Sequence, residues 1–189
     1  MTNGGRLDVL GISGSLRAKS FNSGALRAAR DLAPDGMSID IADISGIPLY
    51  DGDVEAEGMP EAVLRLRAQI AAADGLLIVT PEYNYSIPGV LKNAIDWASR
   101  PPDQPFDGKP MAIMGASPGG GGTTRCQYHL RQAFIFLNGL IMNRPELMIS
   151  GARALFDDDA NLTDEGTRER IGALLTAFAG WIRARQNGG

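Results

Sequence analysis

Two tyrosines and an asparagine follow directly on a buried-strand pattern in the middle of the chain. The apolar run of residues 76–79 leads into Pro81-Glu82-Tyr83-Asn84-Tyr85-Ser86, and a proline-glycine pair, Pro88-Gly89, then begins a helical pattern. In an open parallel sheet, ligands bind outside the carboxyl ends of the strands. Flat aromatic rings beside an amide at such a place indicate a site for a planar cofactor. The alternative is a turn whose tyrosines only pack on the surface.

Small hydroxyl residues and a glycine follow the first predicted strand. This loop reads Ser13-Gly14-Ser15-Leu16-Arg17-Ala18-Lys19-Ser20-Phe21-Asn22, and it has neither the Walker spacing nor the dinucleotide glycine spacing. Backbone N–H groups at the start of a helix, together with the side chains of Ser15, Ser20 and Asn22, bind anions well, and Arg17 adds a charge-assisted donor. The loop therefore predicts a phosphate site, with an ordinary capped helix start as the alternative.

A glycine-rich loop follows the fourth predicted strand. It reads Ser117-Pro118-Gly119-Gly120-Gly121-Gly122-Thr123-Thr124 and leads into a helical pattern. Glycines allow the backbone to approach a ligand closely, at an entropic cost. The alternative here is a flexible loop with no ligand.

Short apolar strands alternate with helical patterns along the whole chain. The strand candidates are residues 7–12, 38–42, 75–80, 111–116 and 146–149, and apolar residues spaced by three and four lie between and after them. Five strand-then-helix units predict an α/β fold: a flavodoxin-like, doubly wound, five-stranded parallel sheet in the order 2-1-3-4-5, with helices on both faces. In that order the three loops lie at one edge of the sheet, which favours a single site.

Composition limits the classes of protein that remain. With 189 residues the chain fits a single domain, residues 1–189, and its formal charge of −4 argues against a nucleic-acid partner. A lone cysteine, Cys126, and a lone histidine, His129, leave no disulfide framework and predict no metal site. Residues 1–10 carry no leader pattern, and no apolar run approaches the length of a membrane span, so we expect a cytoplasmic protein.

The three loop motifs together resemble the NADPH-dependent FMN reductase family. The resemblance rests on Gly14-Ser15-Leu16-Arg17 with Ser20 and Asn22, on Pro81-Glu82-Tyr83-Asn84 with the stretch from Ser86 to Trp97, and on Ser117-Pro118-Gly119. The chain is most similar to the bacterial quinone and chromate reductase group, which also tends to show the stretch from Arg125 to Gln132. The resemblance covers roughly residues 7–150.

The resemblance implies a noncovalently bound FMN, reduced by NADPH or NADH, that passes electrons to quinones and, as a further candidate, to chromate. It implies that Ser15, Arg17, Ser20 and Asn22 hold the phosphate and that the 81–84 turn lies along the ring. The implied cofactor-binding residues are Ser15, Arg17, Ser20, Phe21, Asn22, Pro81, Glu82, Tyr83, Asn84, Ser117 and Gly119. No catalytic side chain is nominated, because the cofactor carries the redox chemistry. A homodimer or homotetramer is also implied, and the apolar residues of 125–136 favour subunit contact.

Three other functions stay open on the sequence. A flavodoxin-type electron carrier would bind the same cofactor, a reductase of the same family could release free reduced flavin, and a binding or regulatory module could use the same scaffold. Carriers of the first kind usually have a phosphate loop without arginine and a strongly acidic surface. Arg17, Lys19 and the near-balanced charge favour the enzyme. No acidic ribose-binding residue stands out, so both NADH and NADPH remain candidate donors.

Overall fold

The computed structural model describes residues 5–187, so residues 1–4 and 188–189 of the predicted domain lie outside the described range. Its parallel sheet has the order β2-β1-β3-β4-β5, and the last strand, β6, pairs with β4. The predicted flavodoxin-like order is confirmed. The strands are β1 Leu7–Ser13, β2 Met37–Ala42, β3 Gly75–Val79, β4 Pro110–Ala116, β5 Leu140–Ile141 and β6 Leu147–Ile149.

The fifth position of the sheet holds two short strands where the sequence predicts one. Strand β5 pairs with the start of β4 at Pro110 and Met111, and β6 pairs with its end, from Met114 to Ala116. Between β5 and β6 the chain passes through Pro145, which has no N–H to donate to a ladder. The predicted strand at residues 146–149 corresponds to β6, whereas β5 is too short for a periodic pattern to reveal.

Helices cover both faces of the sheet. Helices α1 (Phe21–Asp31) and α6 (Glu165–Asn187) pack on one face. Helices α3 (Glu61–Ala72), α4 (Gly89–Ala98) and α5 (Thr124–Phe136) pack on the other. A further short helix, α2 (Gly52–Glu57), lies in the connection between β2 and α3, and it has no buried residue. Apolar spacing therefore carries no sign of it.

The central strands are buried on both sides, which explains their continuous apolar runs. In β3, Leu77 and Val79 pack with α1 and α6, whereas Leu76 and Ile78 pack with α3, α4 and α5. This two-sided core holds the carboxyl ends of β1, β3 and β4 side by side at one edge. Within residues 5–187, no helix combines the length and apolar character that a membrane span requires.

Candidate cofactor site

A serine cap fixes the start of α1 in the first loop. Ser20 Oγ accepts hydrogen bonds from the backbone N–H of Asn22 at 3.2 Å and of Ser23 at 3.4 Å. These bonds satisfy two of the N–H groups that a helix start leaves without a partner. Because a hydroxyl can accept and donate together, Ser20 keeps its own hydrogen for a ligand. The helix cap and the predicted anion site are therefore compatible.

The buried side chain of Asn22 joins α1 to the end of β4. Its Nδ2 donates to the carbonyl oxygen of Ala116 at 2.9 Å, and its Oδ1 accepts from the N–H of Ala116 at 2.8 Å. The sequence assigns this amide to the anion, but the structure engages it with backbone. Asn22 thus holds the first loop against the edge of the sheet.

Arg17 is the cation of the first loop that lines the pocket described below. Its guanidinium lies 5.4 Å from the ring centroid of Phe21. The neighbouring Lys19 is directed elsewhere, since its Nζ lies 3.0 Å from Asp159 Oδ1 in the loop before α6. Arg17 therefore supplies the positive charge that an anionic ligand at this loop would meet.

The second loop is a tight two-residue turn at the end of β3. The N–H of Tyr83 donates to the carbonyl of Ser86 at 3.1 Å, and the N–H of Ser86 donates back to the carbonyl of Tyr83 at 2.9 Å. Asn84 and Tyr85 both have positive φ, at 51° and 63°, as a type I′ turn requires. The left-handed backbone costs energy at Tyr85. The turn leaves the side chains of Tyr83 and Tyr85 about half or more exposed, at 51% and 65%.

The side chain of Glu82 ties this turn to the start of α5. Glu82 Oε2 accepts from the N–H of Cys126 at 3.0 Å, and Oε1 lies 3.5 Å from Arg125 Nη1. A carboxylate that accepts from an N–H at the start of a helix is favoured by the helix dipole. The Arg125 guanidinium in turn lies 4.0 Å from the ring centroid of Tyr85. Glu82 therefore connects the 83–86 turn to the start of α5.

The third loop is organised by its own backbone and by β6. The N–H of Ser117 donates to the carbonyl of Ile149 at 2.9 Å, and the N–H of Gly119 donates to Ser117 Oγ at 3.1 Å. Among the four consecutive glycines, Gly122 has a positive φ of 56°, and a Cβ there would lie 2.9 Å from Met148 Cβ. A Cβ at Gly120 would meet no atom within 4 Å. The structure thus requires glycine at residue 122 and leaves open space beside residue 120.

The three loops surround a pocket of about 330 Å³. Its lining residues are Ser15, Arg17, Ser20, Phe21, Asn22, Pro81, Tyr83, Ala116, Pro118 and Arg153. Seven of these are predicted site residues, whereas the predicted Glu82, Asn84, Ser117 and Gly119 do not line it. Sequence reasoning missed Arg153, which lies in a short 3-10 helix, Ala152–Ala154, after β6. The only signal for it was its place just beyond a predicted strand end.

The residues of this pocket fit FMN. Two hydroxyl groups, the Arg17 guanidinium and the start of α1 suit a phosphate. The pyrrolidine rings of Pro81 and Pro118 and the ring of Tyr83 offer apolar surfaces to a flat heterocycle. No acidic residue occurs among the lining residues, and the volume falls in the range of small-molecule sites.

The nearby cysteine and histidine have structural contacts. Burial is the main reason that the pKa of the Cys126 thiol rises to about 11, so the thiol is neutral at physiological pH and a poor nucleophile. His129 Nδ1 lies 3.0 Å from Ser86 Oγ, which links α5 to the 83–86 turn. Over the described part of the chain, no group of three metal-ligating side chains comes together.

The sheet order and the pocket at the ends of β1, β3 and β4 define a flavodoxin-like protein with a site for a phosphate-bearing planar cofactor. Comparison with known protein families then identifies the family of the chain. The chain belongs to the NADPH-dependent FMN reductase family, whose model matches residues 7–154. The family predicted from the three loop motifs is thereby confirmed.

Individual relatives match nearly the whole chain. An NAD(P)H-dependent FMN reductase from Pseudomonas aeruginosa is 61% identical over 177 residues, covering 94% of this chain and 96% of the relative. A quinone reductase from Escherichia coli is 48% identical over 181 residues, with the same two coverages of 94% and 96%. Among solved structures, FerB, a flavoenzyme NAD(P)H:(acceptor) oxidoreductase from Paracoccus denitrificans, is similar with a TM-score of 0.86 and 36% identity, covering 95% of this chain and 98% of FerB.

Proposed function

We propose that this protein is an NAD(P)H-dependent FMN oxidoreductase that reduces quinones. The observation that carries the proposal is a single pocket that is lined by an arginine and a capped helix start as well as by a tyrosine and two prolines. Membership of the FMN reductase family and the names of the relatives support it. We also propose that the whole chain forms one domain, because both helical layers pack on one sheet.

The first loop would hold the cofactor by its phosphate. Ser15 and Ser20 would donate their hydroxyl hydrogens, Arg17 would pair with the charge, and Phe21 would close the side of the pocket beneath the guanidinium. Asn22 would act through its bonds to Ala116, which keep the loop in place.

The second and third loops would position the flat ring. Pro81 and Tyr83 would lie against it, and we place Asn84, Ser117 and Gly119 at the rim of the pocket, near its polar edge. Glu82 would keep the turn in position through α5. When FMN is bound, it supplies the redox chemistry, accepting a hydride from a reduced nicotinamide and giving two electrons to the acceptor. The chain's own part is to bind, orient and exclude water, so no general base is assigned.

Exposed tyrosines at the rim favour a broad range of small acceptors. Tyr83 lines the pocket and Tyr85 lies in the same turn, and they are 51% and 65% exposed, so a planar quinone could approach from this side. Arg153 adds a cation that suits an oxyanion such as chromate. We propose quinones as the main acceptors, with chromate as a further one. A reducing cytoplasm, where reduced nicotinamide is available, is the proposed location, in keeping with a single buried cysteine.

We further propose that the protein is a homodimer or homotetramer. Ile135 and Phe136 at the end of α5 are 78% and 91% exposed, and Tyr128 on the same helix is 52% exposed. Exposed apolar side chains of this size favour contact with a second copy. Light scattering coupled to size exclusion tests this, since a monomer mass at every concentration would contradict it.

The function is tested by purifying the protein with FMN and adding a reduced nicotinamide under anaerobic conditions. We expect bleaching of the flavin absorbance by NADH or NADPH, and its return on addition of benzoquinone. Flavin that binds but stays oxidised with both donors would indicate an electron carrier. A protein that binds no FMN would contradict the proposal outright. Gel filtration after reduction shows whether the flavin stays bound or is released.

A further inference from the structure

A second cavity adjoins the cofactor pocket on the side of β2. It has a volume of about 310 Å³. It shares Ser15 and Arg17 with the cofactor pocket, so the two are separated only by the first loop. Its remaining lining residues are Ser13, Leu16, Ser23, Ile41, Ala42, Asp43, Ile44 and Ser45. The proposed FMN site uses none of these eight residues.

The chemistry of this cavity has an acidic part and an apolar part. Asp43 follows the last residue of β2, and its Oδ1 accepts the N–H of Ser45 at 2.8 Å. Hydrogen bonds from the side chain and then the backbone of Ser45 hold the pKa of Asp43 below its ordinary value, so the cavity is lined by an ionised carboxylate. Leu16, in the first loop, is 50% exposed, and Ile41, in β2, is 39% exposed. These two side chains give the cavity its apolar surface.

This combination matches one half of a nicotinamide dinucleotide. In the dinucleotide-binding form of the doubly wound fold, a carboxylate that follows the first strand-loop-helix unit accepts hydrogen bonds from the ribose hydroxyls. This chain lacks the glycine spacing of that form, so only the carboxylate and the apolar side chains that line the same cavity favour an adenosine here. We propose that the cavity is the subsite for the adenosine half of the electron donor, with Asp43 accepting from the ribose hydroxyls and Leu16 and Ile41 packing on the adenine. The inference rests on the proposed function, since it concerns the donor of that reaction.

The spacing of the strands supports this placement. The strands occur in the order β2-β1-β3-β4, so the cavity beside β2 and the ring end of the pocket near β4 are separated by up to three strand spacings, roughly 14 Å. That is comparable with the length of an extended dinucleotide. A donor whose nicotinamide lies over the flavin ring could therefore reach Asp43 with its adenosine.

The subsite also predicts a preference between the two donors. NADPH carries a phosphate on the adenosine ribose where NADH carries a hydroxyl, and a carboxylate repels the phosphate but accepts from the hydroxyl. Arg17 would already pair with the phosphate of FMN. Its charge would therefore attract the ribose phosphate of NADPH only weakly. We therefore expect the protein to use NADH with the higher kcat/KM.

The test compares Asp43→Asn with Asp40→Asn, which makes the same change of charge three residues earlier, within β2 and outside the cavity. Asparagine can still accept the Ser45 N–H, so the loop should keep its structure. We expect Asp43→Asn to lower kcat/KM for NADH roughly tenfold and to lower the ratio of NADH to NADPH efficiency. Reduced nicotinamide mononucleotide, which lacks the adenosine, should react equally with both variants and with the parent.

Binding of ADP-ribose, measured by calorimetry, gives a readout that needs no redox activity. We expect Asp43→Asn to weaken it roughly tenfold and Asp40→Asn to leave it unchanged. Equal effects of the two variants, or an equal loss with the mononucleotide and NADH, would overturn the subsite while leaving the proposed function intact. If no donor reduces the flavin, the proposed function fails, and the ADP-ribose titration still decides whether the cavity binds an adenosine.

Discussion

The two halves of the pocket that we propose for the cofactor are built in different ways. The first loop is fixed by buried groups, because Ser20 caps α1 and Asn22 bonds to the backbone of β4. The 83–86 turn is exposed. It is connected to the start of α5 by the bond between Glu82 and the N–H of Cys126 and by the contact of Arg125 with the ring of Tyr85. The half proposed for the phosphate therefore belongs to the core, whereas the half proposed for the ring rests on a surface turn.

Because of this difference, we expect substitutions in the two halves to affect stability and cofactor affinity differently. Changes in the core-linked half should lower stability and cofactor affinity together, unless they affect an exposed side chain such as Arg17. Changes around the surface turn should leave the fold nearly intact.

The largest expected effect is the loss of stability in Asn22→Ala. The substitution leaves the N–H and carbonyl of Ala116 buried without partners, and we expect a loss of about 3 kcal/mol in the free energy of unfolding, measured with urea. Asn93→Ala is the control, since Asn93 makes the same pair of bonds, to Pro48 and Tyr50, near the surface. It should cost less than about 1 kcal/mol. Equal losses of stability in the two variants would contradict the view that the first loop is fixed by buried bonds.

Next in size is the effect of Arg17→Ala on cofactor affinity. Removing a charge-assisted partner of the phosphate should weaken FMN binding by about tenfold or more, while stability stays unchanged because the side chain is exposed. Fluorescence titration of the apoprotein measures the affinity. Lys19→Ala is the matched control and should have little effect, since Lys19 is paired with Asp159. Riboflavin lacks the phosphate, so an equal loss with riboflavin would refute the assignment of Arg17.

A smaller effect is expected at Glu82. Glu82→Ala removes the acceptor of the Cys126 N–H and should cost about 1 kcal/mol of stability. Glu82→Gln keeps an acceptor and loses only the ion pair with Arg125, so its cost should be a few tenths of a kcal/mol. Thermal unfolding of both variants measures the difference. If the two variants were equally destabilised, the helix-capping role of Glu82 would be wrong.

The smallest effect concerns Cys126 and alkaline pH. The folded thiol has its pKa raised from 9.0 to about 11, chiefly by burial, so the unfolded chain ionises first. The contribution of the neutral thiol to the free energy of unfolding is therefore complete below pH 9.0 and is lost as the pH rises towards 11. Urea unfolding at about pH 8 and about pH 10 should show a steeper loss for the parent than for Cys126→Ala. Parallel losses would contradict the raised pKa.

The sequence predicts the elements whose apolar spacing is extended. The buried runs of β3 and β4 and the helical spacing of α1 and α6 are all present as expected. Strand β5, with two residues, and helix α2, with no buried side chain, carry too little pattern to be found.

The site is predicted less completely than the fold, because side-chain direction depends on distant partners. The amide of Asn22 meets Ala116, which is 94 residues away, and Glu82 meets Cys126, which is 44 residues away. Both residue types suit a ligand equally well, so their identity alone could not show that they bond to backbone. Arg153 enters the pocket from a segment with no motif, and only the topology brings it there.

The most direct measurement of the central claim is a crystal structure of the protein grown with FMN. We expect the phosphate within hydrogen-bonding distance of Ser15, Ser20 and Arg17, with the ring between Tyr83 and Pro118. A flavin bound at any other place, with its phosphate away from the start of α1, would contradict this claim.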